Sequence, residues 1–281
     1  MLDFIEKLFA GKWIAGATIE DAVFAARYFN NRNISAIINY LGEEISEKDK
    51  VEKTKEVYKN LIDRINTENL NAAISLKPTQ LGSLISKEYL KENYLQIVNY
   101  ASKKNIFVWL DMEAPDNVDL TIELYKSGIK FSNTGICIQS NLKRSFNDIK
   151  KLPKNAIIRL VKGAYSVDNK IGYTNKEEVN KNFRFLMNYL FENKNKFMIA
   201  THDIKMIEHA RALNKKYKRD VTYAFLRGIM NSYAESIAKT EKVAVYIPFG
   251  EDWIAYSYRR MRESGHVSLI FRSLIPERFK K

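Results

Sequence analysis

Residues 243–263 read VAVYIPFGEDWIAYSYRRMRE: a β-rich run over Val243–Ile247, a proline, a glycine, then an aromatic helical stretch. Pro248 is expected to end the strand, Gly250 to turn the chain, and Asp252 to cap a helix starting at Trp253. On that helix Tyr256 and Arg260 are four apart, as are Arg259 and Glu263, so a phenol, two guanidiniums and a carboxylate share about one face. Each guanidinium is a rigid fork that matches a carboxylate or phosphate. A solvated Arg-Arg face paired with Glu263 is the plain alternative. A strand, a tight turn and a polar aromatic face in immediate succession favour a grip on a small anion.

Working outward, the same strand-then-helix unit recurs. Short β-rich runs lie at 34–41, 71–77, 106–112, 134–139, 156–162, 197–202 and 221–226. Between them stand helical faces, such as Leu90, Tyr94, Leu95, Ile97 and Val98 in 87–101, and Val179, Phe183, Leu186, Met187 and Leu190 in 176–193. Thr174 with Glu177 reads as a capping box for the second of these. Near-continuously apolar strands alternating with amphipathic helices indicate parallel β-structure covered on both faces. About eight such units match a closed (β/α)8 barrel of the α/β class. An open doubly wound sheet is the alternative, but no Gly-rich dinucleotide loop follows any strand. Residues 2–10 and 18–30 have helical apolar spacing, which divides the chain into an N-terminal helical arm, 1–33, and a barrel, 34–281.

Composition agrees with one continuous domain. The 281 residues are 46% hydrophobic, which excludes a wholly disordered chain, and no Gly/Ser-rich linker interrupts them. The formal net charge is +13, but the basic residues are spread beside helix ends rather than gathered in a stripe. No nucleic-acid partner is expected, whereas a basic surface suits peripheral contact with an anionic membrane. The single cysteine, Cys137, excludes an internal disulfide and reads as a small buried core residue. Ligands are too few for a metal site. With no signal-peptide pattern or spanning run, the expected location is cytoplasmic, with association at the inner face of the membrane a further expectation.

In such barrels the active site lies at the carboxyl ends of the strands. Those ends carry Glu43, Lys77, Asp111 with Glu113, Gln139, Arg159 with Lys162, Thr201-His202-Asp203, Arg227 and Tyr246. One polar strand end is simply heading for water. Many converging on one rim require a ligand or a network, since unsatisfied burial costs free energy. The cations point to an anionic ligand. Lys77 suits an amine-activating base, an ion-pair partner of Asp111, or a Schiff-base lysine.

Several strings carry a family resemblance: YLGE at 40–43, ISLKPTQLG at 74–82, LDME at 110–113, IIRLVKGAY at 157–165, ATHD at 200–203, and YIPFGEDWIAYSYRRMRE at 246–263. In this order, one per strand, they closely resemble proline dehydrogenase, from about residue 34 to the C-terminus. The resemblance implies a distorted (β/α)8 barrel with its last helix over the carboxyl rim. It also implies FAD bound noncovalently at that rim, hydride transfer from C5 of L-proline to flavin N5, and electrons leaving to a quinone. By matching position, Arg259 and Arg260 grip the substrate carboxylate, Lys77 and Asp111 lie near the amine, and Leu226, Tyr246 and Tyr256 wall the ring. Arg159 sits near flavin N5. Met112, Gln139, Lys162, Gly163, Ala164, Thr201 and His202 contact FAD, and Glu43 with Arg259 forms a gate. The chain departs from the family pattern at Asp203, Thr222, Ala224 and Ser140-Asn141. A Schiff-base aldolase or lyase using Lys77 or Lys162, and a non-catalytic basic barrel that binds nucleic acid, are the competing readings.

Overall fold

A computed structural model describes residues 12–252 of the chain. Eight parallel strands close into a barrel in sequence order. They are β1 (Ile34–Tyr40), β2 (Ala72–Leu76), β3 (Val108–Leu110), β4 (Thr134–Gln139), β5 (Ile157–Val161), β6 (Lys196–Ala200), β7 (Asp220–Leu226) and β8 (Lys242–Phe249). The seam is β8 against β1, in register from Ile34↔Val243 to Tyr40↔Phe249. Helix α1 (Ile19–Asn30) precedes the barrel. The connections carry α2 (Lys48–Thr67), α3 (Lys87–Ser102), α4 (Val118–Gly128), α5 (Ser145–Lys151), α6 (Lys176–Asn193), α7 (Ile204–Tyr217) and α8 (Asn231–Ile237). Closure leaves no strand edge among these eight, which is why every strand can be apolar on both faces.

The helices form where period and caps agree. Helix α2 buries Val51, Tyr58, Leu61, Ile62 and Ile65 at spacings of three and four. In α3 the Ser86 hydroxyl accepts from the Tyr89 N–H at 3.1 Å. The expected Thr174–Glu177 capping box does not form: Asn175 caps α6 by accepting from the Glu177 N–H at 2.7 Å. Moving the cap one residue on leaves the Thr174 hydroxyl to donate to the Asn169 side chain. A capping box stands instead at α1, where the Thr18 hydroxyl oxygen accepts from the Asp21 N–H at 3.2 Å and Asp21 accepts from the Thr18 N–H at 3.0 Å. Helix α1 then buries Ala22, Ala25, Ala26 and Phe29 in the same core as β1.

Several strands end a residue or two from expectation, and two of them, β3 and β8, bear on the site. The ladder of β3 is shorter than 106–112, although the Asp111 N–H still donates to the Leu76 carbonyl at 2.8 Å. Strand β8 runs through Pro248 to Phe249 instead of stopping before the proline. Residues 246 and 248 direct their backbone groups to the β7 side, and β7 ends opposite Tyr246 at Leu226. A proline at 248 therefore removes no ladder bond. The Pro248 carbonyl takes the Ala15 N–H at 2.8 Å, so residues 12–16 continue where β7 leaves off.

Apolar packing falls into two bodies. The larger lies between strands and helices. The smaller fills the barrel interior with Ile37, Trp109, Met198, Ala224 and Ala244. Trp109 takes most of that space because Gly135 beside it has no Cβ, and one placed there would lie 2.5 Å from the indole. Asp111 is two residues on along the same strand direction, so the indole forms the floor beneath the polar groups nearer the carboxyl rim.

Candidate active site

Above that floor, five strands contribute one polar side chain each, Asp111 standing just past the end of β3. Asp111 Oδ1 accepts from the Ser75 hydroxyl at 3.0 Å and from the Cys137 thiol at 3.5 Å, and is ion-paired with Arg159 Nη2. Asp111 Oδ2 accepts from the Tyr246 hydroxyl at 2.8 Å. The Arg159 guanidinium also lies 5.0 Å from the Trp109 ring centroid and 5.4 Å from that of Tyr246. Burial raises the Asp111 pKa, but the charges of Arg159 and Lys77 and the hydroxyls of Tyr246 and Ser75 outweigh it. The carboxyl is held below its ordinary value and stays ionised. Arg159 is 3% exposed, and its Nη1 has no hydrogen-bond partner among the described residues.

Lys77 pairs with Glu43 at 3.0 Å rather than with Asp111. The Glu43 carboxylate also receives the Tyr165 hydroxyl at 3.4 Å. Burial acts to lower the Lys77 pKa, but Tyr165, Glu43, Asp111 and Glu113 together raise it well above the ordinary lysine value. A Schiff-base nucleophile must be a neutral amine, whereas these surroundings favour the ammonium. Glu113 is turned to structure: it accepts from the Thr79 N–H at 2.9 Å and from the Thr79 hydroxyl at 2.6 Å. Burial pushes its pKa above the ordinary value despite Lys77 and Thr79.

A second group of residues lies where β5, β6 and β7 end. Lys162 Nζ donates to Asn180 Oδ1 at 2.6 Å and to Asp203 Oδ2 at 2.8 Å. Gly163 has φ +110°, and a Cβ there would meet the Asn141 side chain at 2.2 Å, so the chain is bare at this point for steric reasons. The Thr201 hydroxyl oxygen accepts from the Asp203 N–H at 3.2 Å, and Asp203 caps α7. His202 Nε2 accepts from the Leu226 N–H at 3.0 Å, which places the proton of a neutral ring on Nδ1. Gln139 donates to the Glu113 carbonyl at 2.8 Å, and Met112 is buried in the main core. Ala164 follows Gly163 on the β5–α6 loop.

The structure brings Asp111, Arg159 and Tyr246 into one cluster, sets Lys77 on Glu43, and gathers Lys162 with Asp203 separately. Arg227 joins none of these: Nη1 donates to the carbonyls of Lys12 and Ile14, each at 2.7 Å, and burial lowers its pKa. Tyr256, Arg259 and Arg260, with the helix expected from Trp253 and the helix over residues 2–10, lie outside the described residues. Reasoning from sequence missed Ser75, Tyr165 and Cys137. Cys137 is buried as expected but is bonded to the charged pair rather than being a plain core residue. The signal was the register Cys137↔Arg159 between β4 and β5, which exists only once the strands are paired.

An eight-stranded parallel barrel with a buried, ion-paired arginine and carboxylate at the carboxyl ends of its strands defines a (β/α)8-barrel enzyme. The proline dehydrogenase family profile matches residues 23–272. Proline dehydrogenase 2 of Bacillus subtilis strain 168 is 30% identical over 272 residues, covering 94% of this chain and 90% of that protein. Proline dehydrogenase of Deinococcus radiodurans is 29% identical over 268 residues, covering 91% and 86%. Among solved structures, proline utilization A from Bdellovibrio bacteriovorus, inactivated by N-propargylglycine, superposes with a TM-score of 0.84 at 23% identity. That match covers 90% of this chain and 32% of the other, so this chain spans about a third of its length. The chain belongs to the proline dehydrogenase family.

The residues present fit FAD. Among the described residues Arg159 Nη1 is a buried donor without a hydrogen-bond partner, and Lys162, paired with Asp203, adds a second cation at the carboxyl ends of the strands for an anionic cofactor. Among the described residues no helix is long and apolar enough to cross a membrane.

Proposed function

We propose that the chain oxidises L-proline to Δ1-pyrroline-5-carboxylate with FAD held at the carboxyl rim. The observation that carries this reading is the buried Arg159–Asp111 pair, with one guanidinium nitrogen left unengaged among the described residues. Bound FAD would accept the hydride from C5 of proline at N5 and pass the electrons to a quinone. A fixed cation there stabilises negative charge as it develops, with no reorganisation at the moment of reaction. The cofactor would be held by Met112, Gln139, Arg159, Lys162, Gly163, Ala164, Thr201 and His202.

Substrate would lie over Tyr246 and Leu226, walled on the far side by Tyr256, with its carboxylate gripped by Arg259 and Arg260. Asp111 Oδ1 takes three protein donors and Oδ2 takes the Tyr246 hydroxyl. Its role in this reading is to fix Arg159 and Tyr246. Lys77, held as an ammonium, disfavours a second cation nearby and so favours the neutral amine whose lone pair assists hydride loss. Arg259 would reach both the substrate carboxylate and Glu43, closing the site against water. The basic surface would bring the protein from the cytoplasm to the membrane face where quinones reside.

An absorption spectrum of the purified protein, before and after anaerobic L-proline, tests this. The expected result is a flavin band that bleaches. A protein that retains no FAD, or a flavin untouched by proline, would refute it.

A further inference from the structure

Arg159 is held along one edge by partners of different chemistry. In the guanidinium fork, the Nε–H and the nearer Nη2–H point the same way and form one edge. Nη2 of that edge is on Asp111, with the Ser75 hydroxyl at 3.1 Å. Nε, the other member, donates to the Cys137 sulfur. The same thiol donates its proton to Asp111 Oδ1 at 3.5 Å. Burial pushes the Cys137 pKa up to about 12, so the group is a neutral thiol with both a proton to give and lone pairs to accept with. It is 3% exposed, which excludes a role as a surface nucleophile.

The bonds to Asp111 and Ser75 both run through Nη2, so they fix that nitrogen and leave the guanidinium able to turn about it. The bond from Nε removes that rotation and fixes where Nη1 points. We propose that Cys137 is a positioning residue: by accepting the Arg159 Nε–H while donating to Asp111, it sets the plane of the guanidinium and so aims Nη1 at the reacting group. This rests on the reading of Arg159 as the cation beside the cofactor. It assigns chemistry to a side chain that its apolar neighbours, Ile136 and Ile138, would mark as filler.

The test compares Cys137→Thr with Cys137→Val. The two replacements are nearly the same shape, and only threonine keeps a hydroxyl that accepts from Nε and donates to Asp111. For the holoproteins, three quantities are measured: the midpoint potential of the bound flavin, and kcat and KM with proline. Cys137→Val should move the potential to more negative values and lower kcat on the order of tenfold or more, with KM nearly unchanged. Cys137→Thr should stay close to the wild type in all three. A residue that only fills space would change the melting temperature of both variants and leave the potential where it was. An unchanged potential and kcat in Cys137→Val, or equal losses in both variants, would overturn the proposal. If the valine protein does not fold, Cys137→Ser against Cys137→Ala makes the same comparison. Wild-type flavin that proline fails to bleach would sink the proposed reaction, while the potentials of the variants would still decide the part played by Cys137.

Discussion

At the scale of single residues, the site is governed by satisfied charge. Arg159 and Asp111 are both buried, and removing one member of such a pair leaves the other without compensation, at a cost of about 3–5 kcal/mol. Asp111→Ala should therefore lower stability by about that amount. Adding Arg159→Met to it should cost less than the sum of the two single changes. Denaturant melts of the four proteins form the double-mutant cycle, and strict additivity would show that the pair is not coupled. Gly163 answers to sterics instead. Its positive φ and the Asn141 side chain both exclude a Cβ, so Gly163→Ala should destabilise by more than about 1 kcal/mol. The same change should weaken FAD binding, read by fluorescence titration of the apoprotein.

Among the secondary-structure elements, caps decide boundaries that periodicity leaves open. The Thr18–Asp21 box starts α1, and Thr18→Ala should cost about 1 kcal/mol in a thermal or denaturant melt. The effect carries a pH signature. The Thr18 backbone N–H and then its hydroxyl hold the Asp21 carboxyl below its ordinary value. The contribution of that carboxylate is thus complete above about pH 4 and lost as pH falls through its depressed native value. The stability gap between wild type and Thr18→Ala should narrow as the solution is acidified through that window. A gap that stays constant down to the acid limit would mean that the Thr18 hydroxyl does not bond the Asp21 carboxylate. Periodicity marked α3 and α6 within a residue, because packing and propensity agree there. It misplaced the cap of α6, because Asn175 competes for the same N–H groups as Thr174 and lies one position nearer the helix.

For the molecule as a whole, closure between β8 and β1 and the segment before α1 hold the wall of the site in place. Residues 12–16 meet the barrel through Arg227, the Pro248 carbonyl and the Gly250 N–H. Gly228 permits the approach, since a Cβ there would lie 2.2 Å from the Lys12 carbonyl oxygen. Leu226 immediately precedes this clamp, and Tyr246 pairs with it in register. Arg227→Met should release the N-terminal segment, seen as faster limited proteolysis near residues 12–16 with the barrel core still protected. Under the proposed reaction, KM for proline should rise, because the wall loses its outer support. Unchanged cleavage kinetics would mean that Arg227 does not hold the segment.

What the sequence determined was the barrel and the inventory of its rim. Eight apolar strands with helical faces between them can bury both sheet faces in few ways, and a residue at a strand's carboxyl end has only one rim to reach. Asp111, Arg159 and Tyr246 could therefore be placed together from strand ends and family motifs alone. Tertiary structure decided how those side chains share partners. That Lys77 takes Glu43, that Arg227 leaves the site for the N-terminal segment, and that Cys137 joins the Arg159–Asp111 pair all depend on strand register and side-chain reach. Hydrogen-bond partners from strands far apart in sequence compete within a few ångströms, and one-dimensional spacing holds no record of that competition. Pro248 shows the same limit: whether a proline ends a strand depends on whether its neighbour is still there to be bonded, and here β7 has already left the sheet.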